Sequence, residues 1–140
     1  MRLKGKAKEI LGLMRAKIFG VTSGQNVYIG KHCSIKGKRL ITLEDSVTVR
    51  PYTQIWSGGG EKKTVRIGKG SEIGERCRIS ITNSLNIGEK VLLSPNVYIT
   101  DCDHEYRNVD VPVINQGIVQ RNQKVSIGGL LHWNQCGDCR

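Results

Sequence analysis

His104 is the residue best suited to chemistry, and two aspartates, Asp101 and Asp103, stand just before it. An imidazole titrates near neutral pH, so it can take a proton from an attacking hydroxyl and return it to a leaving group. Either aspartate could orient the ring by accepting a hydrogen bond. An isolated histidine is more often structural or merely exposed, however, so the residue types alone leave both interpretations open.

A six-residue rhythm defines the elements that must position these side chains. An aliphatic residue begins each hexad, Gly often follows it, and a small residue comes four places after the aliphatic one. The hexads begin at Ile29, Leu43, Val49, Ile67, Ile73, Ile87 and Leu93. Such a repeat is typical of a solenoid of short strands, here with three hexads to a turn.

The phase of the repeat predicts which residues stack. The series of aliphatic residues that starts at Leu43 recurs twenty-four residues later, starting at Ile67. The series that starts at Ile67 recurs twenty residues later, starting at Ile87. Apolar and polar residues alternate just before each first hexad, as in Val65-Arg66-Ile67, which favours a strand with one buried face. We expect the additional residues of each turn to form insertions at corners.

Two insertions stand out, and the rhythm ends after the second. Residues 57–63 are polar and rich in glycine, which predicts a protruding turn. Residues 101–124 form a longer loop, and long loops are usually functional or disordered. The predicted organisation is a helix over 1–20, a solenoid over 21–128 that carries this loop, and an anomalous tail over 129–140.

The hexads, together with the stretch from Ile87 to His104, resemble the hexapeptide-repeat O-acetyltransferases. That family includes maltose and galactoside O-acetyltransferases and those of capsule and colanic acid synthesis. The resemblance covers roughly Val27 to Gly128. It implies an all-β solenoid, a left-handed parallel β-helix of about four coils, which is an exception to right-handed crossovers. It also implies a homotrimer with acetyl-CoA, the acyl donor, in a cleft between subunits, and a sugar or polysaccharide-precursor hydroxyl as acceptor.

The resemblance also implies roles for particular residues. His104 matches the catalytic base, Asp101 or Asp103 would orient it, and Tyr106 and Arg107 lie on a loop that resembles the acceptor-side loop. The alternative for that loop is an ordinary exposed segment, and no residue that binds acetyl-CoA can be carried over. For the whole chain, the alternative is a non-catalytic scaffold or assembly protein.

The cysteines and the other histidines do not indicate a metal site. Cys33 and Cys77 fall at small positions of the repeat and are expected to be buried thiols. A CxxC pair within residues 136–139 has no second pair to complete a zinc site, so we expect no metal. His32 is expected at the surface, and His132 lies in the anomalous tail.

The first twenty residues carry half of the net charge of +10. Their apolar residues recur at helical spacing, which predicts an amphipathic helix with a basic polar face. The helix either caps the first coil near Val27 or lies on an anionic membrane through residues 2–19, and the two roles are compatible. Aromatic residues do not interleave with the charges, so we expect no nucleic-acid partner.

The location expected from the sequence is cytoplasmic, with peripheral contact at the inner membrane face as a compatible addition. No apolar run reaches the length of a membrane span, and the start does not resemble a cleaved signal peptide.

The tail departs from the family pattern. One permitted coding of residues 129–140, moved by one nucleotide, translates into a further hexad, so we expect a tail that is out of frame. On that hypothesis the later coils of the family are missing and the chain is a poor enzyme. The nucleotide sequence of the gene would test this hypothesis.

Overall fold

The computed structural model describes residues 2–58, 65–120 and 124–128, and it shows one helix followed by a parallel β-solenoid of four coils. The helix α1 spans Arg2–Phe19. The first coil consists of β1 (Thr22–Ser23), β2 (Tyr28–Ile29) and β3 (Ser34–Lys36), and the second of β4 (Ile41–Leu43), β5 (Thr48–Val49) and β6 (Gln54–Ser57). The third consists of β7 (Val65–Ile67), β8 (Glu72–Ile73) and β9 (Arg78–Ile81), and the fourth of β10 (Ser84–Ile87), β11 (Leu92–Leu93) and β12 (Tyr98–Thr100).

Four further elements follow the fourth coil: β13 (Cys102–His104), α2 (Val113–Gln116), β14 (Ile118–Gln120) and β15 (Lys124–Ile127). Strand β15 pairs with β10 and begins a fifth coil. The predicted solenoid and its N-terminal helix are thus confirmed, whereas the handedness of the coil stays a prediction. The tail over 129–140 and most of the glycine-rich insertion lie outside the described residues.

Corresponding strands of successive coils pair in parallel to form three sheets. Their orders are β1-β4-β7-β10-β15, β2-β5-β8-β11 and β3-β6-β9-β12. Leu43 pairs with Ile67, and Ile67 pairs with Ile87, so the predicted offsets of twenty-four and twenty residues are both confirmed. Each hexad therefore places its aliphatic residue above the one in the coil before.

The aliphatic stacks and the small inward residues fill the interior of the solenoid. The fully buried aliphatic residues include Ile29, Ile41, Leu43, Ile55, Ile67, Ile73, Ile79 and Ile87. The small residues also link the coils, because the Thr53 hydroxyl donates to the Gly74 carbonyl and the Ser71 hydroxyl to the Gly88 carbonyl, each at 2.8 Å. These bonds satisfy polar groups that would otherwise be buried at a cost of a few kcal/mol.

The two repeat cysteines occupy the same kind of position. The Cys33 and Cys77 thiols each lie 3.2 Å from a carbonyl oxygen of the next coil, and Cys77 is buried while Cys33 is half-buried. Burial raises the pKa of both thiols. The thiolate is the reactive form, so these cysteines are structural and poorly nucleophilic near neutral pH.

Burial of these thiols is the largest cause of the shift in both pKa values, and hydrogen bonds from backbone groups of the corner oppose it. The expectation that Cys33 and Cys77 are small interior residues of the repeat is therefore confirmed for Cys77 and holds in part for Cys33.

The first two corners of each coil turn through one residue in the left-handed conformation, three places after the first residue of its hexad. From the second coil onward, the backbone N–H of this residue donates to a carbonyl of the preceding coil, as Tyr52 does to Lys31 and Lys90 does to Lys69. The φ angles lie between 53° and 62° at the non-glycine corners, which are Asn26, His32, Ser46, Tyr52, Arg76, Lys90 and Asn96. At one further corner the residue is Gly70, with φ of 69°.

We predict that two neighbouring glycines of one corner differ sharply in their tolerance of alanine. A Cβ on Gly68 would lie 2.5 Å from the backbone of Gly88, so Gly68→Ala forces two coils apart and should lower the free energy of unfolding by about 3 kcal/mol. A Cβ on Gly70 would contact only the Lys90 side chain, at 3.7 Å. Gly70→Ala should therefore cost only the free energy of placing alanine in the left-handed conformation, about 1 kcal/mol. Urea unfolding measures both values, and equal losses would contradict the prediction.

Helix α1 covers the first coil, but it does so with small residues. Gly12 lies directly against the backbone of Val27 and Tyr28, and Ala16 is almost completely buried. The Arg15 guanidinium donates to the Ile29 carbonyl at 2.6 Å. Helix α1 thus lies on the first coil, as the cap interpretation predicts, whereas an apolar stripe of the helix is exposed to solvent.

That stripe comprises apolar residues on successive turns of α1. Ile10, Met14 and Ile18 are 59%, 56% and 72% exposed, and Leu11 beside them is also exposed. Longer side chains would hold the helix away from the Val27 backbone, so the side with Gly12 packs instead. Among the described residues, no helix is long and apolar enough to cross a membrane.

Candidate active site

The residues predicted to do chemistry lie on an arm that leaves the fourth coil after β12. Strands β13 and β14 pair antiparallel, with His104 opposite Ile118, and α2 lies in the connection between them. The long insertion is therefore a hairpin with its own hydrogen bonds over its described part. It projects from the corner between the third and the first sheet, where β15 then resumes the solenoid.

Asp101 fixes the base of this arm to the preceding corner. Its Oδ1 accepts hydrogen bonds from the Thr82 backbone N–H at 2.7 Å and the Thr82 hydroxyl at 3.0 Å, and its Oδ2 accepts one from the Asn83 N–H at 2.6 Å. The residue is only 5% exposed. Both carboxylate oxygens thus accept hydrogen bonds from the turn at Thr82 and Asn83. The expected role of Asp101 in orienting His104 stays a prediction.

His104 ends strand β13 with its side chain exposed. Its backbone N–H donates to Oδ1 of Asp103 at 2.8 Å, which places that carboxylate beside the histidine. The expected role of Asp103 in orienting the imidazole stays a prediction. An exposed imidazole at a strand end is accessible to a substrate hydroxyl.

The two residues predicted to lie on the acceptor side follow directly and are exposed. Tyr106 is 64% exposed, and the Arg107 side chain is 83% exposed. The Glu105 carboxylate accepts hydrogen bonds from the backbone N–H groups of both, each at 3.0 Å. The loop thus exposes an aromatic ring and a guanidinium group two and three residues after His104 in the chain.

Gln116, a residue that no sequence pattern singles out, closes the loop. Its Oε1 accepts from the Asn108 N–H at 3.1 Å, and its Nε2 donates to the carbonyls of Asn108 at 2.7 Å and Val111 at 2.5 Å. A single glutamine in a polar stretch gives no pattern that would identify this role. The length of the loop was the one available signal, because a loop this long needs internal contacts to keep a fixed shape.

Two surface grooves lie on the second sheet, away from the arm. One, of about 410 Å³, is lined by Tyr28, Thr48 and Glu75, and the other, of about 280 Å³, by Leu92 and Pro95. Both include the ion pair in which Arg50 Nε lies 2.7 Å from Glu72 Oε1, and this hydrogen bond raises the Arg50 pKa. Neither groove includes a residue of the arm, so they are separate from the candidate site.

The described residues contain no group of three or more His, Cys, Asp or Glu side chains that could hold a metal ion. His104 is the histidine of the described part of the arm, and histidine is the side chain that most often serves as a general base.

Comparison with known proteins gives one informative similarity. No family model matches the chain, and no solved structure matches it. A protein of Mycobacterium tuberculosis described as "Probable acetyltransferase Rv3034c" is 32% identical over 72 residues, which cover 46% of this chain and 24% of that protein. The chain thus spans about a quarter of the length of this curated relative. The similarity and the solenoid together fit a hexapeptide-repeat acetyltransferase.

We predict that Asp101→Asn loosens the base of the arm. The new amide group would face the N–H of Thr82 or Asn83, so at least one buried donor loses its acceptor, at a cost of about 1–3 kcal/mol. Amide hydrogen exchange at Thr82 and Asn83 should accelerate accordingly. Asp110→Asn, the same change at an exposed position of the arm, serves as the control, and unchanged exchange in Asp101→Asn would contradict the assignment.

We also predict that acid loosens the acceptor-side loop. The hydrogen bond from the Arg107 N–H, together with that from Tyr106, lowers the pKa of Glu105. A carboxyl group with a lowered pKa in the folded state stabilises the fold above its unfolded pKa, and this stabilisation is lost as pH falls through the folded pKa. Amide exchange at Tyr106 and Arg107, corrected for the intrinsic effect of pH, should therefore accelerate in acid. Glu105→Gln should remove that acid dependence, and a variant that keeps it would refute the explanation.

Proposed function

We propose that this chain carries the catalytic arm of an acetyl-CoA-dependent O-acetyltransferase that acts on a sugar hydroxyl. The observation that supports this most directly is the exposed His104 on an arm whose base is fixed by three hydrogen bonds to Asp101. The named acetyltransferase that the chain resembles supports acetyl transfer as the reaction.

His104 acts as general base in this proposal. Its imidazole takes the proton of the sugar hydroxyl as that oxygen attacks the thioester carbonyl carbon. The carbon–sulfur bond then breaks, and the imidazolium returns the proton to the departing thiolate. The products are the acetylated sugar and free coenzyme A, and His104 ends in its starting state.

Asp103 is the better placed of the two aspartates to assist. Its carboxylate already lies at the His104 backbone, whereas the Asp101 carboxylate is engaged with Thr82 and Asn83. A carboxylate beside the imidazolium would stabilise the positive charge that forms during transfer. Asp101 contributes by positioning, since it holds the start of β13 against the solenoid.

Tyr106 and Arg107 are proposed to contact the acceptor. A tyrosine ring offers an apolar face and a hydroxyl, and a guanidinium group offers several donors, which together suit the mixed surface of a sugar. Glu105 keeps both residues next to His104 through its hydrogen bonds to their backbone. The choice of acceptor within the sugars is a property of this loop.

A second copy of the chain is proposed to complete the site, in a homotrimer. Acetyl transfer benefits when water is excluded and fixed donors face the developing oxyanion. Among the described residues, His104 lies exposed to water on a projecting arm. A neighbouring solenoid could supply a wall and donors. Because acetyl-CoA is a cytoplasmic metabolite, the proposed location is the cytoplasm.

We predict that His104→Ala, made in a version of the protein that shows acetyl transfer, lowers kcat about 10²–10⁴-fold, because general-base catalysis typically contributes that much. The measurement is release of coenzyme A thiol with a panel of sugar acceptors, alongside the oligomeric state, which should not change. His32→Asn is the matched control, since His32 stacks on Tyr52 at a corner of the solenoid, with ring centroids 5.0 Å apart, and asparagine tolerates the left-handed conformation.

Activity of His104→Ala within tenfold of the parent would argue against His104 as the base. Calorimetric titration with acetyl-CoA, of this chain and of a chain extended in the shifted frame of its tail, tests the reaction class separately. If neither protein binds acetyl-CoA or releases thiol with any acceptor, the solenoid serves as a non-catalytic scaffold and the proposal fails.

A further inference from the structure

We propose that α1 docks the protein on a membrane surface that contains anionic phospholipids. This inference rests on the packing of α1 and not on the proposed function. The helix has an apolar stripe that the fold leaves uncovered, although another side of the same helix is packed against the first coil.

The two sides of α1 are distinct. Gly12 and Ala16 face the first coil, and Arg15 reaches its Ile29 carbonyl. Ile10, Met14 and Ile18 follow one another at intervals of four residues and point away from the solenoid. Leu11 extends the stripe on one side. Apolar side chains on successive turns of a surface helix form the kind of face that enters the boundary between lipid headgroups and acyl chains.

The charges near the stripe favour a lipid surface. Residues 2–19 contain six Lys or Arg and one Glu. Lys6 and Lys17 are exposed and, at 100° per residue, lie along the edge of the stripe next to Ile10. Lysines at the border of an apolar helix face keep their ammonium groups in the headgroup region and attract anionic lipid.

The same charges disfavour a second copy as the occupant. Two such helices that met through their stripes would bring the lysines of both copies close together, and protein interfaces are depleted in lysine. Anionic headgroups instead neutralise these side chains. Charge complementarity therefore selects the membrane among the candidate occupants of the stripe.

Docking through α1 would place the solenoid upright on the membrane. The helix covers the first coil, and three strand spacings, about 15 Å, separate that coil from the fourth. The arm that carries His104 leaves the fourth coil.

The test is sedimentation of the purified full chain with vesicles of phosphatidylcholine, alone or mixed with phosphatidylglycerol. We expect binding to the mixed vesicles and much weaker binding to phosphatidylcholine alone. The combined variant Ile10→Ser, Met14→Ser and Ile18→Ser should bind the mixed vesicles weaker by about tenfold or more, since the apolar area that enters the lipid is lost. Leu92→Ser, which changes an equally exposed residue of the second sheet, should bind as the parent does.

A second variant separates lipid binding from effects on folding. Lys6→Glu combined with Lys17→Glu leaves the stripe intact and should abolish the preference for phosphatidylglycerol. Circular dichroism and thermal unfolding of all variants should match the parent, because the altered side chains are exposed. Absence of binding by the parent, or equal binding to both kinds of vesicle, would overturn the proposal. So would an oligomer of the parent that the serine variant dissociates while neither protein binds vesicles.

Discussion

The register between successive coils is the constraint on which the rest of this structure depends. Parallel strands pair residue by residue, and a slip of one residue would turn the buried side chains to the outside. Leu43, Ile67 and Ile87 remain stacked although the number of residues between them changes from one coil to the next. Every additional residue must therefore leave the coil at a corner, where it does not disturb the core.

Over the described coils, all the variation in the number of residues per coil occurs at one corner of the solenoid. Thr42, Thr48 and Gln54 mark a constant step of six residues across the first two corners, and Arg66, Glu72 and Arg78 repeat it. The corner between the third and the first sheet instead carries insertions of different length, including the arm. The entropy of closing a loop grows only slowly with its length, so this corner tolerates a long insertion. Hydrogen bonds such as those of Asp101 are still needed to fix its direction.

The sequence was sufficient to predict the coils because their signal is local and repeated. An aliphatic residue every six positions predicts both the strands and their partners, and the offsets at Leu43 and Ile67 follow directly. The left-handed corners were harder to predict, since Tyr52 and Arg76 are residues that rarely adopt positive φ. They adopt it because the coil geometry requires a turn at that position, whatever the side chain.

The arm shows why a candidate site is less predictable than its scaffold. The motif that resembles the acetyltransferases marks His104 as the candidate base, which stays a prediction, and the pairing of β13 with β14 is not part of any repeat. Which way the Asp101 carboxylate points, and which side chain closes the loop, depend on contacts between residues far apart in the chain. Such contacts leave no periodic signal in one sequence.

Helix α1 shows that an amphipathic pattern does not reveal what covers the apolar face. Within the sheets, the backbone N–H groups of one coil donate to carbonyls of the next, as Gly30 does to Val49. Strand β2 lies at the edge of its sheet, so no earlier coil provides an N–H group that could donate to the Ile29 carbonyl. The Arg15 guanidinium donates to this carbonyl instead. The cap therefore needs one polar donor and a close approach at Gly12 and Ala16, and it does not need large apolar residues. The exposed stripe at Ile10, Met14 and Ile18 is consequently free of any role in closing the solenoid, which is the physical reason to look for its partner outside the fold.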